Sequence, residues 1–294
     1  MQQAGIIPNL HVAITTVSPV RIQRLFKMPT RMPRAIKLAF VVMLLSAAPA
    51  AAAITMCSAE SGALRVPLLE LYTSEGCDSC PPTDRWVSGL PQRGYTSDRV
   101  LPLAFHVDYW NYLGWQDPYA KSAFSARQRA ANQRNKSRVV YTPQLMLNGA
   151  DYRRRSRDND FSARITAINN QQPRAHINMA IISGPRLQGK MTFPDMIDRK
   201  NARIYIAVYE NGLATDVPAG ENRGKRLLHD FVVRELLGPW IPDAAGNHSF
   251  DLPLQFSPHW QVSRLHIAAF AQDHTTGTTL QALSLPNCVT APRQ

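Results

Sequence analysis

Cys77 and Cys80 stand two residues apart in the string Gly76-Cys77-Asp78-Ser79-Cys80, a spacing that lets both sulfurs meet across the first turn of a helix. Such a pair does one of three things. It exchanges disulfides through thiolate attack, a mixed disulfide and displacement by the second thiol. It binds a soft metal, or it forms an inert crosslink. A helix beginning at the pair would supply free N–H groups and a positive dipole end, both of which favour thiolate. Cys77 precedes that helix, so it is the expected nucleophile and the more exposed sulfur, with Cys80 as the resolving thiol. Glu75 and Asp78 act against the helix, because nearby negative charge disfavours thiolate. Cys77 is therefore expected to be less acidic than the thiols of strongly oxidising exported proteins. Structural zinc would need a second pair of this spacing, which the sequence lacks. Cu(I) asks only for soft ligands, and His106 is the candidate third beside Cys77 and Cys80.

The flanking sequence has the form that positions such a site. The apolar run 66–72 ends in Thr-Ser-Glu-Gly and reads as a buried strand and turn. Pro81 and Pro82 suit a first helical turn, and Trp86, Val87 and Leu90 then share one helical face. Residues 100–107 read as a second buried strand and 120–135 as a helix. The run 141–149 reads as a strand entered at Thr142-Pro143 and left by Asn148-Gly149, a hairpin signal. Asp158 begins a helix carrying Phe161, Ile165 and Ile168. This alternation over 64–172 predicts an α/β layer, and with Cys77 and Cys80 at a strand-to-helix turn it resembles a thioredoxin-like domain. In such domains a cis-proline faces the cysteines, which assigns Thr142-Pro143 a catalytic-site role: the exposed Thr142 backbone would pair with a bound substrate strand. After residue 173 the pattern changes to repeated short strands at 177–181, 187–193, 203–209, 227–237, 249–254, 265–271 and 278–283. These predict a small antiparallel β-sandwich domain over 175–285.

Tyr109, Trp110 and Trp115 lie just after the second strand. Aromatic rings with polar tips suit a substrate groove, the alternative being a loop folded back onto the core. Asp108 is expected either to orient His106 or to shuttle a proton to the buried thiol. Residues 221–226 connect two strand candidates and read as a solvated hairpin loop, the other possibility being a fold over the cysteine face with His229 nearby.

The first 53 residues read as an N-terminal extension and an export signal. Arg31, Arg34 and Lys37 precede an apolar run at 38–45, followed by the small residues 47–53, the pattern of a secretory signal. The run is shorter than the roughly 20 apolar residues a membrane span needs. Six of the 33 Lys and Arg residues and no acidic residue fall in this stretch, so it carries half of the formal charge of +12. The remainder is too mild for a nucleic-acid-binding stripe. Export places the four cysteines in an oxidising periplasmic or secreted setting. The expected pairing joins Cys77 to Cys80 and leaves Cys57 with Cys288, unless those two are free thiols. A Cys57–Cys288 bond would close a loop of about 230 residues and contribute roughly 5 kcal/mol in the chain-entropy picture.

Four strings also resemble a known family. They are Glu70-Leu-Tyr-Thr-Ser-Glu-Gly-Cys-Asp-Ser-Cys-Pro-Pro-Thr-Asp84, His106-Val-Asp-Tyr-Trp-Asn-Tyr-Leu-Gly-Trp-Gln-Asp-Pro118, Tyr141-Thr-Pro-Gln-Leu-Met-Leu-Asn-Gly149 and Gly220-Glu-Asn-Arg-Gly-Lys-Arg-Leu-Leu-His229. Together they resemble the secreted domain-of-unknown-function family 1223, over roughly residues 64–285. The resemblance implies a thioredoxin-like fold with an appended β-domain and no known reaction. No phosphate-binding loop, nucleophile elbow or zinc-protease string is present. The expected function is an exported thiol–disulfide oxidoreductase that needs no cofactor and acts on protein or peptide thiols and disulfides. The rivals are a periplasmic Cu(I)-binding protein and an envelope interaction module with an inert disulfide.

Overall fold

The computed structural model describes residues 57–153, 158–182 and 186–289. The extension and signal read over 1–53 lie outside them. The chain begins with β1 (Cys57–Glu60) and β2 (Leu68–Thr73), then α1 (Pro81–Ser88), β3 (Leu101–His106) and α2 (Ser122–Arg134). A tight hairpin follows, β4 (Gln144–Leu147) and β5 (Ala150–Asp151), and then α3 (Asp158–Asn169). Strands β6 (His176–Ile182) and β7 (Arg186–Thr192) lead through α4 (Met196–Asn201) to β8 (Ala202–Glu210) and β9 (Leu213–Asp216). The last strands are β10 (Arg226–His229), β11 (Val232–Trp240), β12 (Asn247–Pro253), β13 (Leu265–Asp273) and β14 (Thr279–Pro286).

β2 and β3 are buried at every position. That is why each reads as a largely apolar run, since a strand covered on both faces has no solvent side to leave polar; the exception inside β2, Glu70, is buried against Tyr72 and Arg127. They pair in parallel from Leu68↔Leu101 to Thr73↔His106, with β4 antiparallel on the other side of β2. The sheet continues past β3. Its full order is β14-β13-β8-β11-β3-β2-β4-β5, joined where Val232 of β11 meets Ala104 of β3.

This join corrects the expected fold class. The protein is not a thioredoxin-like α/β domain followed by a small antiparallel β-sandwich; it is β-rich, and strands from both stretches form one eight-stranded mixed sheet. The misreading has a physical cause. β8 and β13 are buried almost throughout, as central strands are, but an apolar run does not say which strand lies beside it.

Alternate residues of the large sheet feed opposite faces. On one face Phe124 and Ala131 of α2 pack with Tyr72, Phe105, Tyr209 and Phe270. On the other, Trp86 and Val87 of α1 and Phe161 and Ile165 of α3 cover Leu69, Leu71 and Ala104. Further along that face a four-stranded sheet, β1-β6-β7-β12, buries Ile177, Met179 and Met191 against Ile206, Ile267 and Ala269. β9 and β10 pair only with each other.

Candidate functional site

β2 delivers the chain to the cysteine turn and α1 leads it away. Within the turn, the Cys77 N–H donates to the Ser74 carbonyl at 3.2 Å and the Cys80 N–H to the Cys77 carbonyl at 3.3 Å. Cys77 and Cys80 are joined as a disulfide. Cys80 caps α1, with prolines in the first two helical positions. Those prolines carry no N–H, and the Thr83 and Asp84 N–H groups donate to the Cys80 carbonyl at 2.9 and 3.1 Å. The helix start therefore offers a thiolate its dipole end but few free donors. The Ser79 hydroxyl, 3.4 Å from Cys77 Sγ, is a nearer polar partner. Cys80 is fully buried and Cys77 is 2% exposed, whereas Asp78 and Ser79 face solvent. Cys77 is not the open sulfur that its place before the helix suggests.

Around the turn lies a buried polar network. Glu75 accepts from the Trp115 indole at 2.8 Å and meets His229 Nε2 at 3.1 Å, while its N–H donates to Asp117 at 2.9 Å. Asp117, not Asp108, orients His106: its carboxylate sits 2.6 Å from His106 Nδ1, and Asp108 is taken by Ser125. The imidazoles of His106 and His229 lie edge to face at 5.0 Å. Burial alone would lower the His106 pKa, but the charge and hydrogen bond of Asp117, with Asp84 and Glu75 beyond, raise it. Burial works against the Asp117 carboxylate too; His106 and the Glu75 and Tyr119 N–H groups outweigh it and hold that pKa low. Asp84, one turn after Cys80, goes the other way, because desolvation pushes its pKa up.

Of the remaining sequence-derived residues, Trp110 and Trp115 reach the turn directly and Thr142 through Trp110. Thr142-Pro143 is a cis peptide. The Trp110 indole donates to Thr142 Oγ1 at 2.7 Å, and its Cβ packs so closely over Gly76 that a Cβ there would lie 3.0 Å away. Trp110 thus spans from the cysteine turn to the proline. Tyr109 donates to Gln128 at 3.1 Å. The polar tips of Tyr109, Trp110 and Trp115 are all bonded within the protein, so these rings brace the site. Open space lies beside Pro143, in a cleft of about 650 Å³ lined by Thr83, Tyr141, Pro143, Leu145 and Tyr152. His106 commits Nδ1 to Asp117, and among the described residues no group of three or more His, Cys, Asp or Glu side chains is set to hold a metal. Cys57 and Cys288 form the second disulfide.

Asp84 and Asn222 complete the site and were not singled out in the sequence. Asp84 reads there as an ordinary acid of a first helical turn. Asn222, in the 221–226 loop, is fully buried and donates to the carbonyls of Glu75 at 2.8 Å and Cys77 at 2.9 Å. The rest of the 221–226 loop is exposed, as a solvated hairpin end is, but Asn222 turns inward onto the cysteine turn.

Residues 68–272 match the family described as "Protein of unknown function (DUF1223)". The chain belongs to this family. No curated protein matches it. Among solved structures it resembles a protein from Agrobacterium tumefaciens at 24% identity, with a TM-score of 0.59, over 78% of this chain and 97% of that one. It also resembles HBP35 of Porphyromonas gingivalis at 12% identity, with a TM-score of 0.56, over 80% of this chain and 81% of the other. At these identities the likeness is one of fold.

Proposed function

We propose that this DUF1223 chain is an exported thiol–disulfide oxidoreductase that exchanges electrons with protein or peptide thiols through Cys77 and Cys80. The observation that carries the reading is the placement of that disulfide at a strand-to-helix turn, where Thr83, whose N–H donates to the Cys80 carbonyl, lines a cleft with Tyr141 and Pro143. A substrate thiolate attacks Cys77 Sγ, the Cys77–Cys80 bond breaks, and Cys80 leaves as a thiolate that takes up a proton. A second substrate thiolate then attacks the mixed disulfide, releasing oxidised substrate and the reduced pair; the reverse sequence reduces a substrate disulfide. The cleft would seat an extended peptide segment along the start of α1, the helix that Cys80 caps. Two disulfides among the described residues, with the signal pattern over 31–53, favour an oxidising compartment. No helix among the described residues is long and apolar enough to cross a membrane.

Insulin reduction by the reduced chain and oxidation of reduced, unfolded ribonuclease by the disulfide form test the reading. Cys77→Ser is expected to abolish both activities, and Cys80→Ser to trap a mixed disulfide on Cys77. Undiminished transfer by Cys77→Ser, or no transfer by the native chain in either direction, overturns it.

A further inference from the structure

The β9–β10 hairpin is tied to the large sheet by no strand pairing, yet its tip grips the cysteine turn. Asn222 gives one amide hydrogen to the Glu75 carbonyl and the other to the Cys77 carbonyl, at 2.8 and 2.9 Å, and its Oδ1 accepts from Lys225 Nζ at 2.8 Å. Next to it the Asp78 N–H donates to the Glu221 carboxylate at 3.1 Å. At the hairpin's end His229 meets Glu75 Oε1 at 3.1 Å. Gly220 packs against Trp115, where a Cβ would lie 3.3 Å from the tryptophan Cβ. The tip is held in shape by the Val217 N–H on the Lys225 carbonyl at 2.9 Å and the Gly224 N–H on the Val217 carbonyl at 2.7 Å.

We infer that this hairpin is a clasp on the Cys77–Cys80 disulfide and that Asn222 is its catch, a positioning residue whose release lets a thiol reach Cys77. The inference deepens the oxidoreductase reading and rests on it, since it concerns how that pair is reached. Exchange requires an attacking sulfur to touch a disulfide sulfur, and both are covered, Cys77 to 2% exposure and Cys80 completely. An Asn amide suits the catch because its two N–H donors serve two acceptors at once. Asp in the same place has the same shape and no donors, so its oxygens would face the carbonyls of Glu75 and Cys77. The clasp selects for partners: small thiols wait for the hairpin to lift, whereas a protein that binds its tip opens the site as it docks.

The test uses the full oxidised chain, dithiothreitol over a wide concentration range, and alkylation with peptide mapping to follow each disulfide separately. Reduction of Cys77–Cys80 in the native chain is expected to level off at high dithiothreitol, where lifting limits the rate. Asn222→Ala and Asn222→Asp are expected to raise that plateau by about tenfold, as loss of two hydrogen bonds to buried carbonyls implies. The Cys57–Cys288 rate should not move. Glu221→Gln, at an exposed position that threatens no folding, is expected to raise the plateau by about twofold. A rate proportional to dithiothreitol throughout and equal in all four chains overturns the clasp. So does acceleration of both disulfides together, the mark of general loosening. Insulin transfer is read on the same samples: a native chain with the expected plateau and no transfer upholds the clasp and overturns only the oxidoreductase reading.

Discussion

Beneath the disulfide, one carboxyl is at odds with its surroundings. Asp84 is buried with its pKa raised by desolvation, and the charges of His229 and His106 only partly offset that, with Asp117 adding to it. A raised carboxyl pKa means that the folded chain holds this proton more tightly than the unfolded chain. Stability is therefore lost as pH climbs from the ordinary value of 3.8 through the folded one, and it does not return above. Asp84→Asn has no proton to lose. It is expected to melt higher than the native chain at pH 7 and alongside it at pH 3, measured by calorimetry with both disulfides intact. A variant that melts lower at pH 7 would sink this account. His106 contributes in the same pH direction, since its raised pKa gives stability that is present below 6.5 and lost as pH rises through the folded value. Asp117, with its lowered pKa, contributes above 3.8 and loses that contribution as pH falls through its folded value. The Asp84 comparison therefore needs the native chain at each pH beside it.

At the scale of elements, the sharpest local constraint is the β4–β5 turn. Asn148 and Gly149 have φ of 52° and 83°, and a Cβ on Gly149 would lie 2.3 Å from the Gly277 carbonyl carbon in the β13–β14 turn. Asn148 also accepts from the Thr279 N–H at 2.9 Å, so the two turns are fastened together. Gly149→Ala is expected to cost about 3 kcal/mol, combining left-handed strain with a backbone clash. Gly94→Ala has a similar φ of 80° and nothing within 4 Å, so it should cost only about 1 kcal/mol. Equal urea midpoints for the two variants would show that the stacked turns do not bear on stability. Asn148-Gly149 was legible as a hairpin because the dipeptide itself encodes the turn; its docking on Gly277 was not, since nothing local records a contact 128 residues away. The same divide runs through the site. The Cys77–Cys80 turn, α1 and β2 are written in consecutive residues. Asp117 lies eleven residues beyond His106 across a loop, and the nearer Asp108 was the natural but mistaken partner. β9, with Leu213 as its one buried residue, has no alternation to read. The stretch 227–237 looks continuous, yet it breaks between β10 and β11 at Phe231, whose φ is +59°. That break lets β10 close the hairpin over the cysteines while β11 joins the large sheet.

Across the whole molecule, the two disulfides hold different things. Cys77–Cys80 closes a single turn, whereas Cys57–Cys288 spans 231 residues, from β1 at the edge of the four-stranded sheet to the segment after β14 at the edge of the large one. Long loops gain most from a crosslink because the unfolded chain loses most freedom, so the double variant Cys57→Ser with Cys288→Ser should lose about 5 kcal/mol. Its urea midpoint measures that loss; a shift worth less than about 1 kcal/mol would mean that the unfolded chain is already constrained, or that strain in the folded state cancels the gain. The cysteine turn should remain as it is. Its supports come from Asn222, His229, Asp117 and Trp110, none of which lies in β1, β14 or the segment beyond them. The double variant should therefore keep the reduction potential and insulin transfer of the native chain under conditions where it remains folded. A parallel loss of stability and transfer would instead tie the edge strands to the site, through the continuous sheet that runs from β14 to β2.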